Sequence, residues 1–361
     1  MHKFLVGTAG LGIGALLMLP ATPSLAAPTG PNDGAGVTAP LLSETSLRVA
    51  TMATDLSGEE PGDLYRDLLT RTDTEARRVA DAISVANPDI VVLTGMDADP
   101  DAVNTFISDY LNSPDDEHTD VGYAYSYLAI GSSGVQSGAD LDGDRVVGGP
   151  GDAWGQGAFA EQSSTVVLSK YPINQPDVVS VSALKWDEVA GNKLSSSELS
   201  GAVAASIPVM HNGLWDIPIE YRGERVHILA AQTEPAQSSY GFGAPRQKDQ
   251  LKVISDYIAG EDYVVADDGA KAGGIDENRI VVTGALAQRT EFTAAALALG
   301  DELGRDDALN DSGNFVIPNR GWNVLGQGRI GAEAPEDFQL LPGATPESIE
   351  TSDLIWTDVQ F

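Results

Sequence analysis

Hydrophobic positions in this chain recur at every second residue in some stretches and at helical spacing in others, and the changes between the two mark out its elements. Leu47-Arg48-Val49-Ala50-Thr51-Met52 alternates and predicts a first strand, with a loop from Asp55 to Pro61 behind it. Thr74 stands where a helix cap is needed, ahead of Glu75, Ala76, Val79, Ile83 and Ala86 at helical spacing, and Asn87-Pro88 ends the run. Asp89-Ile90-Val91-Val92-Leu93 is then a compact apolar strand. Strand, helix and strand over about fifty residues predict a right-handed crossover between parallel strands. Further on, the pattern predicts a helix over 101–111, a strand over 124–130 and a long Gly- and Asp-rich loop over 131–162. Strands are expected at 164–169, 177–182, 216–220 and 225–231, the last two joined by a hairpin turn at Tyr221-Arg222-Gly223-Glu224. A helix over 245–258, with Leu251, Ile254 and Ile258 on one face, precedes a short β-branched strand over 280–283. A helix over 291–303 and a strand over 354–359 complete the series.

The strand at Ile280-Val281-Val282 reaches Thr283-Gly284, where the backbone can turn at the strand's C-terminal end. α/β sheets usually present their chemistry at such a place. Ala285, Leu286 and Ala287 follow, and none of them has a reactive group. No repeat and no linker interrupts 47–361, so a single domain mixing strands and helices is expected there.

Composition narrows the setting. Hydrophobic residues make up 42% of 361, enough for a sizeable core. Lys3, an apolar run from Phe4 to Leu19, Pro20 and then Ser24-Leu25-Ala26-Ala27, with small residues at the cleavage positions, have the form of a signal peptide cut after Ala26. A retained anchor is the alternative, disfavoured by the short, Gly-rich run and its proline. Residues 27–46, rich in Pro, Gly, Ser and Thr, read as a flexible lead-in. The expected product is a secreted or cell-envelope protein with no transmembrane segment after signal removal. There is no cysteine, which removes disulfides, thiolate metal sites, thiol nucleophiles and lipidation of the N-terminus. Net charge is −32, from 53 acidic against 21 basic residues, and losing Lys3 with the signal takes it to −33. Such a field repels phosphates and offers no basic stripe, so no nucleic-acid partner is expected.

One acidic loop carries candidate chemistry. Asp140, Asp142 and Asp144 occupy alternate positions on a glycine-rich turn, with Asp152 further on, as in the first half of an EF-hand loop. Arg145 stands where an EF-hand has glycine, and no glutamate occupies the twelfth position. A calcium site and a solvated acidic loop are equally good readings of it. His211 and His227 are the histidines of the folded body outside the acidic stretch around His118, and His227, inside a strand, reads as a packed residue. Trp154, Trp186, Trp215 and Trp356 read as core or cleft packing, Trp154 being the one placed for exposure.

Nine stretches in order resemble the endonuclease/exonuclease/phosphatase superfamily, in a secreted actinobacterial-type branch. They are LRVATMATDL, NPDIVVLTGMD, SGADLDGDRVVGGPGDAWGQGAF, TVVLSKYPI, WDIPI, VHILAAQTEP, PRQKDQLKVISDYI, IVVTGALAQ and SDLIWTDV, covering about Leu47 to Phe361. The resemblance implies an α/β four-layer sandwich, two packed mixed β-sheets flanked by helices, and metal-dependent phosphoester hydrolysis at the strand ends. It also implies that this chemistry has decayed. Ala53 stands where the family has a metal-holding asparagine, Gly95 where it has the metal-ligating glutamate, and Gln232 where it has a phosphate-contacting histidine. Ala285 and Ala287 replace the Asp and Asn of Gly-Asp-x-Asn. The closing Ser-Asp-His is reduced to Ser352-Asp353, followed at once by Leu354, so Asp353 alone survives. Magnesium needs carboxylate and other hard oxygen ligands, and its loss is expected. Arg246 and Asp249 match polar helix positions of the family and are expected to order a loop beside the cleft. The expectation is a non-catalytic protein that binds an envelope or membrane-associated protein partner, or serves as a subunit of an envelope complex. The alternative is an active phosphoesterase on a phosphomonoester, phospholipid or nucleic acid, its ligands relocated to Asp97, Glu234 or Glu291.

Overall fold

Strand alternation sorts the apolar side chains into three layers, and three layers need four sheets or sets of helices to enclose them. The computed structural model describes residues 45–112, 120–197, 199–234, 241–275, 279–287, 293–304, 309–311, 313–330 and 354–361, all within one unit, Gly36–Phe361. The expected signal peptide, most of the lead-in, His118, Glu291 and Asp353 lie outside the described residues.

The first half of the chain forms β1 (Leu47–Leu56), α1 (Asp63–Leu69), α2 (Thr74–Ala86), β2 (Ile90–Met96), α3 (Pro100–Phe106), β3 (Tyr125–Ala129), β4 (Ser164–Ser169) and β5 (Val179–Ser180). The second forms α4 (Gly201–Ala204), β6 (Gly213–Tyr221), β7 (Glu224–Gln232), α5 (Gly243–Ala259), β8 (Ile280–Ala285), α6 (Thr293–Glu302), β9 (Leu309–Asp311), β10 (Asn314–Pro318), β11 (Asn323–Ile330) and β12 (Leu354–Gln360). Two six-stranded sheets result, in the orders β11-β12-β1-β2-β4-β3 and β5-β6-β7-β8-β10-β9. Each contains one parallel pair, β1 with β2 and β7 with β8, among antiparallel neighbours. This is the expected four-layer α/β sandwich.

Leu47, Val49, Ile90, Val92 and Val167 from the first sheet meet Trp215, Ile217, Ile228, Val281 and Val316 from the second, forming the middle layer. The residues between them point the other way. Ala50, Met52, Val91 and Leu93 pack under α1, α2 and α3, while Leu229, Ala231 and Val282 pack under α5 and α6. Burying both faces explains why β2 and β8 read as continuous apolar runs.

Several boundaries differ from the sequence reading. Asp73, not Thr74, caps α2, its carboxylate accepting from Ala76 N at 2.7 Å. The helix expected over 101–111 ends at Phe106 and continues as a single π turn to Leu111. The strand expected over 177–182 shrinks to two residues. The turn at Arg222-Gly223 has φ of 55° and 80°, the left-handed pair that a tight hairpin requires. α1, β9, β10 and β11 were not anticipated. β11 hides its pattern because Gly326 and Gly328 take the place of side chains. A Cβ on Gly328 would stand 2.4 Å from the Trp356 ring.

Candidate functional site

The two parallel pairs bring the C-terminal ends of β1, β2, β7 and β8 together. Ala53 pairs with Thr94 in the first sheet, and Ala285 pairs with both Gln232 and Asn314 in the second. By alternation from Val49, Ala230 and Val281, the residues Ala53, Gln232 and Ala285 all face the layer between the sheets. Asn212 ties the two ends. Its Nδ2 donates to Gln232 Oε1 at 2.8 Å and to Ser163 O, beside the end of β2, at 2.7 Å, while its Oδ1 accepts from Ser133 N at 3.0 Å. The sequence reading passed over Asn212. The available signal was an uncharged amide between a histidine and a glycine, directly ahead of a strand.

At the end of β8 the side chains are small and neutral. Ala285 is fully buried and Ala287 nearly so, and the backbone around them is tied by Thr233 Oγ1 and Gln247 Nε2, which both donate to Leu286 O. Gly95 is a bulge in β2, where the register shifts against both neighbouring strands. Its φ is +86°, and a Cβ there would stand 2.1 Å from Thr54 O. A glutamate on this backbone would be strained and would collide with a main-chain oxygen. Ala53, Gly95, Ala285 and Ala287 supply no side-chain oxygen, and the Gln232 amide is engaged by Asn212, so these five positions offer a magnesium ion no carboxylate.

The acids considered as relocated ligands are placed differently from one another. Asp97 is buried beside the loop after β1 and accepts from Gly58 N at 2.9 Å, while its Oδ1 has no hydrogen-bond partner. Burial raises its pKa to about 6, against the lowering effect of the Gly58 and Ser163 N–H groups. Glu234 is committed elsewhere, with Oε2 3.4 Å from Arg246 Nη1 and 3.8 Å from His211 Nδ1. His211 is itself buried, which lowers its pKa to about 4, so it is neutral at ordinary pH.

Arg246 is fully buried and donates to the carbonyls of Trp154, Pro208, Val209 and Met210. It thereby clamps the long loop and the entry to β6 onto α5. Asp249 accepts from Trp186 Nε1 at 2.6 Å and from Lys193 N at 2.5 Å, fixing the segment that crosses α5. Trp215 lies in the middle layer, Trp356 packs in the layer under α2 with Arg48 over its ring at 4.0 Å, and Trp154 is half-buried against the α5 side. His227 pairs with Asp216 at 2.8 Å, and Tyr257 OH donates to the same carboxylate at 2.8 Å. Alternation puts this trio on the α5 face of the second sheet, not in the middle layer.

In the acidic loop Asp140, Asp142 and Asp144 each offer an oxygen within 4.8 Å of the others. Asp152 does not join them. It is buried, and its two oxygens accept from Leu141 N at 2.6 Å and Gly148 N at 2.7 Å, so it braces the loop from beneath. Arg145 adopts φ +72° at the position where an EF-hand has glycine.

Among the described residues, no helix is long and apolar enough to cross a membrane. No protein-family model and no curated protein matches the chain. Three solved structures are similar to it over most of its length. An endonuclease/exonuclease/phosphatase protein from Beutenbergia cavernae shares 13% identity over 88% of this chain and 72% of its own, at a TM-score of 0.47. Sphingomyelinase C from Streptomyces griseocarneus shares 16% over 87% and 99%, at 0.45. The beta toxin of Staphylococcus aureus shares 13% over 88% and 99%, at 0.41.

Proposed function

We propose that this chain is an exported, non-catalytic protein with a phosphoesterase fold, which acts by binding a protein of the cell envelope. The observation that carries the reading is the set of strand ends at Ala53, Gly95, Gln232, Ala285 and Ala287. Hydrolysis of a phosphoester needs a held metal, an activated water and charge neutralisation on the phosphoryl oxygens. None of those five side chains supplies a carboxylate or an imidazole, and the backbone at Gly95 opposes a return of the glutamate. Export rests on the signal-like segment at 1–26.

The competing reading is an active phosphoesterase with relocated ligands. The unpartnered Oδ1 of Asp97, two residues after Gly95, is the observation that favours it. An assay of the mature chain with magnesium, manganese and calcium, against a generic phosphodiester and a phosphomonoester, separates the two. No turnover above a buffer blank is expected. Metal-dependent turnover abolished by Asp353→Ala or Asp97→Asn would overturn the proposal.

A further inference from the structure

Each sheet ends in two edge strands, β3 and β11 in one and β5 and β9 in the other. Open edges invite pairing with other chains, and proteins normally block them by shortness, bulges, charge or cover. Three of these four are blocked. β9 has three residues and β5 two. β5 is also covered, since Asp267 N donates to Ser180 O and the Asp267 carboxylate accepts from Ser180 Oγ and Ser182 N. β11 is bulged between Val324 and Gly326 and carries Arg329.

Among the described residues, β3 has only one of these devices, a single side-chain contact from Gln175. Tyr125-Ser126-Tyr127-Leu128-Ala129 contains no charge, glycine or proline, and the uncharged run extends from Val121 to Ala139 in a chain with 74 charged residues, 53 acidic plus 21 basic. The ladder fixes which backbone groups face out. Lys170 N donates to Asp89 O, which sets Leu168 and Val166 toward β2 and leaves Ser169, Val167 and Thr165 to bond β3. Their partners Tyr125, Tyr127 and Ala129 therefore face inward, while Ser126 and Leu128 turn their N–H and C=O groups outward. Gln175 Nε2 reaches Ser126 O from that side at 3.3 Å. Among the described residues, nothing else bonds the outward groups of Ser126 or Leu128. Tyr125 and Ile130, 40% and 49% exposed, flank the open edge.

We propose that β3 is a docking edge where an extended segment of another protein adds a seventh strand to the first sheet. The proposal rests on the reading of this chain as a binding protein and names the partner's chemistry. The outward N–H and C=O groups call for a main chain in extended form. The uncharged centre calls for uncharged alternating side chains, and exposed Asp120 just ahead of the strand, in a chain of net charge −32, calls for basic flanks. A second copy of this chain fits poorly, because it brings the same net charge of −32.

The test uses the mature chain and a synthetic peptide of about ten residues, with Lys-Lys at each end and an alternating Thr-Val centre. A proline-interrupted peptide of the same charge is the control. Hydrogen exchange over residues 124–130 is expected to slow about tenfold with the peptide and not with the control. Ser126→Pro, which removes one outward N–H and leaves the ladder to β4 intact, is expected to abolish the protection. Tyr125→Lys, which keeps the backbone, is expected to weaken it. No protection, equal protection by the control, protection confined to other segments, or self-association abolished by Ser126→Pro would each overturn the docking edge. Phosphoester turnover is measured on the same samples. Turnover with the edge protected overturns only the non-catalytic reading, and an unprotected edge without turnover overturns only the docking edge.

Discussion

Replacing Asp97 by Asn tests how the loop after β1 is held against the end of β2. The Asp97 carboxyl is nearly inaccessible, and burial lifts its pKa from 3.8 to about 6. A raised carboxyl pKa means that the folded state favours the protonated form. The resulting stability is fully present below the unfolded pKa near 3.8, falls as pH rises through about 6, and stays lost above that. One pKa unit is about 1.4 kcal/mol, so the full shift corresponds to about 3 kcal/mol. Screening at the rim of the sandwich brings the expected effect to about 1–2 kcal/mol. Asn keeps an oxygen for Gly58 N and removes the titration. Asp97→Asn is therefore expected to be about 1–2 kcal/mol more stable than the parent at pH 8 and indistinguishable from it at pH 4. Urea unfolding of both proteins, followed by tryptophan fluorescence across that range, measures the difference directly. Unfolding free energies that run parallel at every pH would refute the argument, because they would mean that Asp97 titrates alike in the folded and unfolded chain.

Three further outcomes are expected. Gly95→Ala should destabilise by about 2–4 kcal/mol, combining left-handed strain with a main-chain clash, read as a loss of several degrees in Tm; Gly95→Glu should lose at least as much and gain no magnesium-dependent turnover. Arg246→Met should cost about 3–5 kcal/mol in chemical unfolding, because it removes the buried cation facing the Glu234 carboxylate and the guanidinium donor to the carbonyls of Trp154, Pro208 and Met210. Calcium is expected to raise the thermal midpoint through Asp140, Asp142 and Asp144, with Asp142→Ala abolishing the shift; an absence of any shift with calcium in the parent would end the calcium reading of that loop.

The strands that could be read were those whose neighbours bury them from both sides. Ile90–Met96 and Ile280–Ala285 are continuous apolar runs because helices cover one face and the opposite sheet covers the other. β10 and β11 could not be read in the same way. Their side chains are set by particular neighbours, such as the Trp356 ring that fills the space above Gly328. Among site residues, the alanines at 285 and 287 were legible as an absence of chemistry. Asp152 was misplaced because sequence spacing cannot tell a carboxylate aimed at a cation from one aimed at the backbone N–H groups of its own loop.

By itself, then, the sequence determined the class of fold and put residues without ionisable side chains at 53, 95, 232, 285 and 287. Periodicity and residue identity are local properties, and they survive without coordinates. Tertiary structure decided which distant groups meet. It joined the two sheet ends through Asn212, committed Glu234 to Arg246, and left Asp97 buried with one oxygen unpaired. It also put Gly95 in a left-handed bulge against Thr54 and left β3, among the described strands, as an edge covered by Gln175 alone. Those outcomes depend on which backbone groups are already bonded and how closely two main chains approach. Sheet pairing over long sequence separations sets both, and no local pattern encodes it.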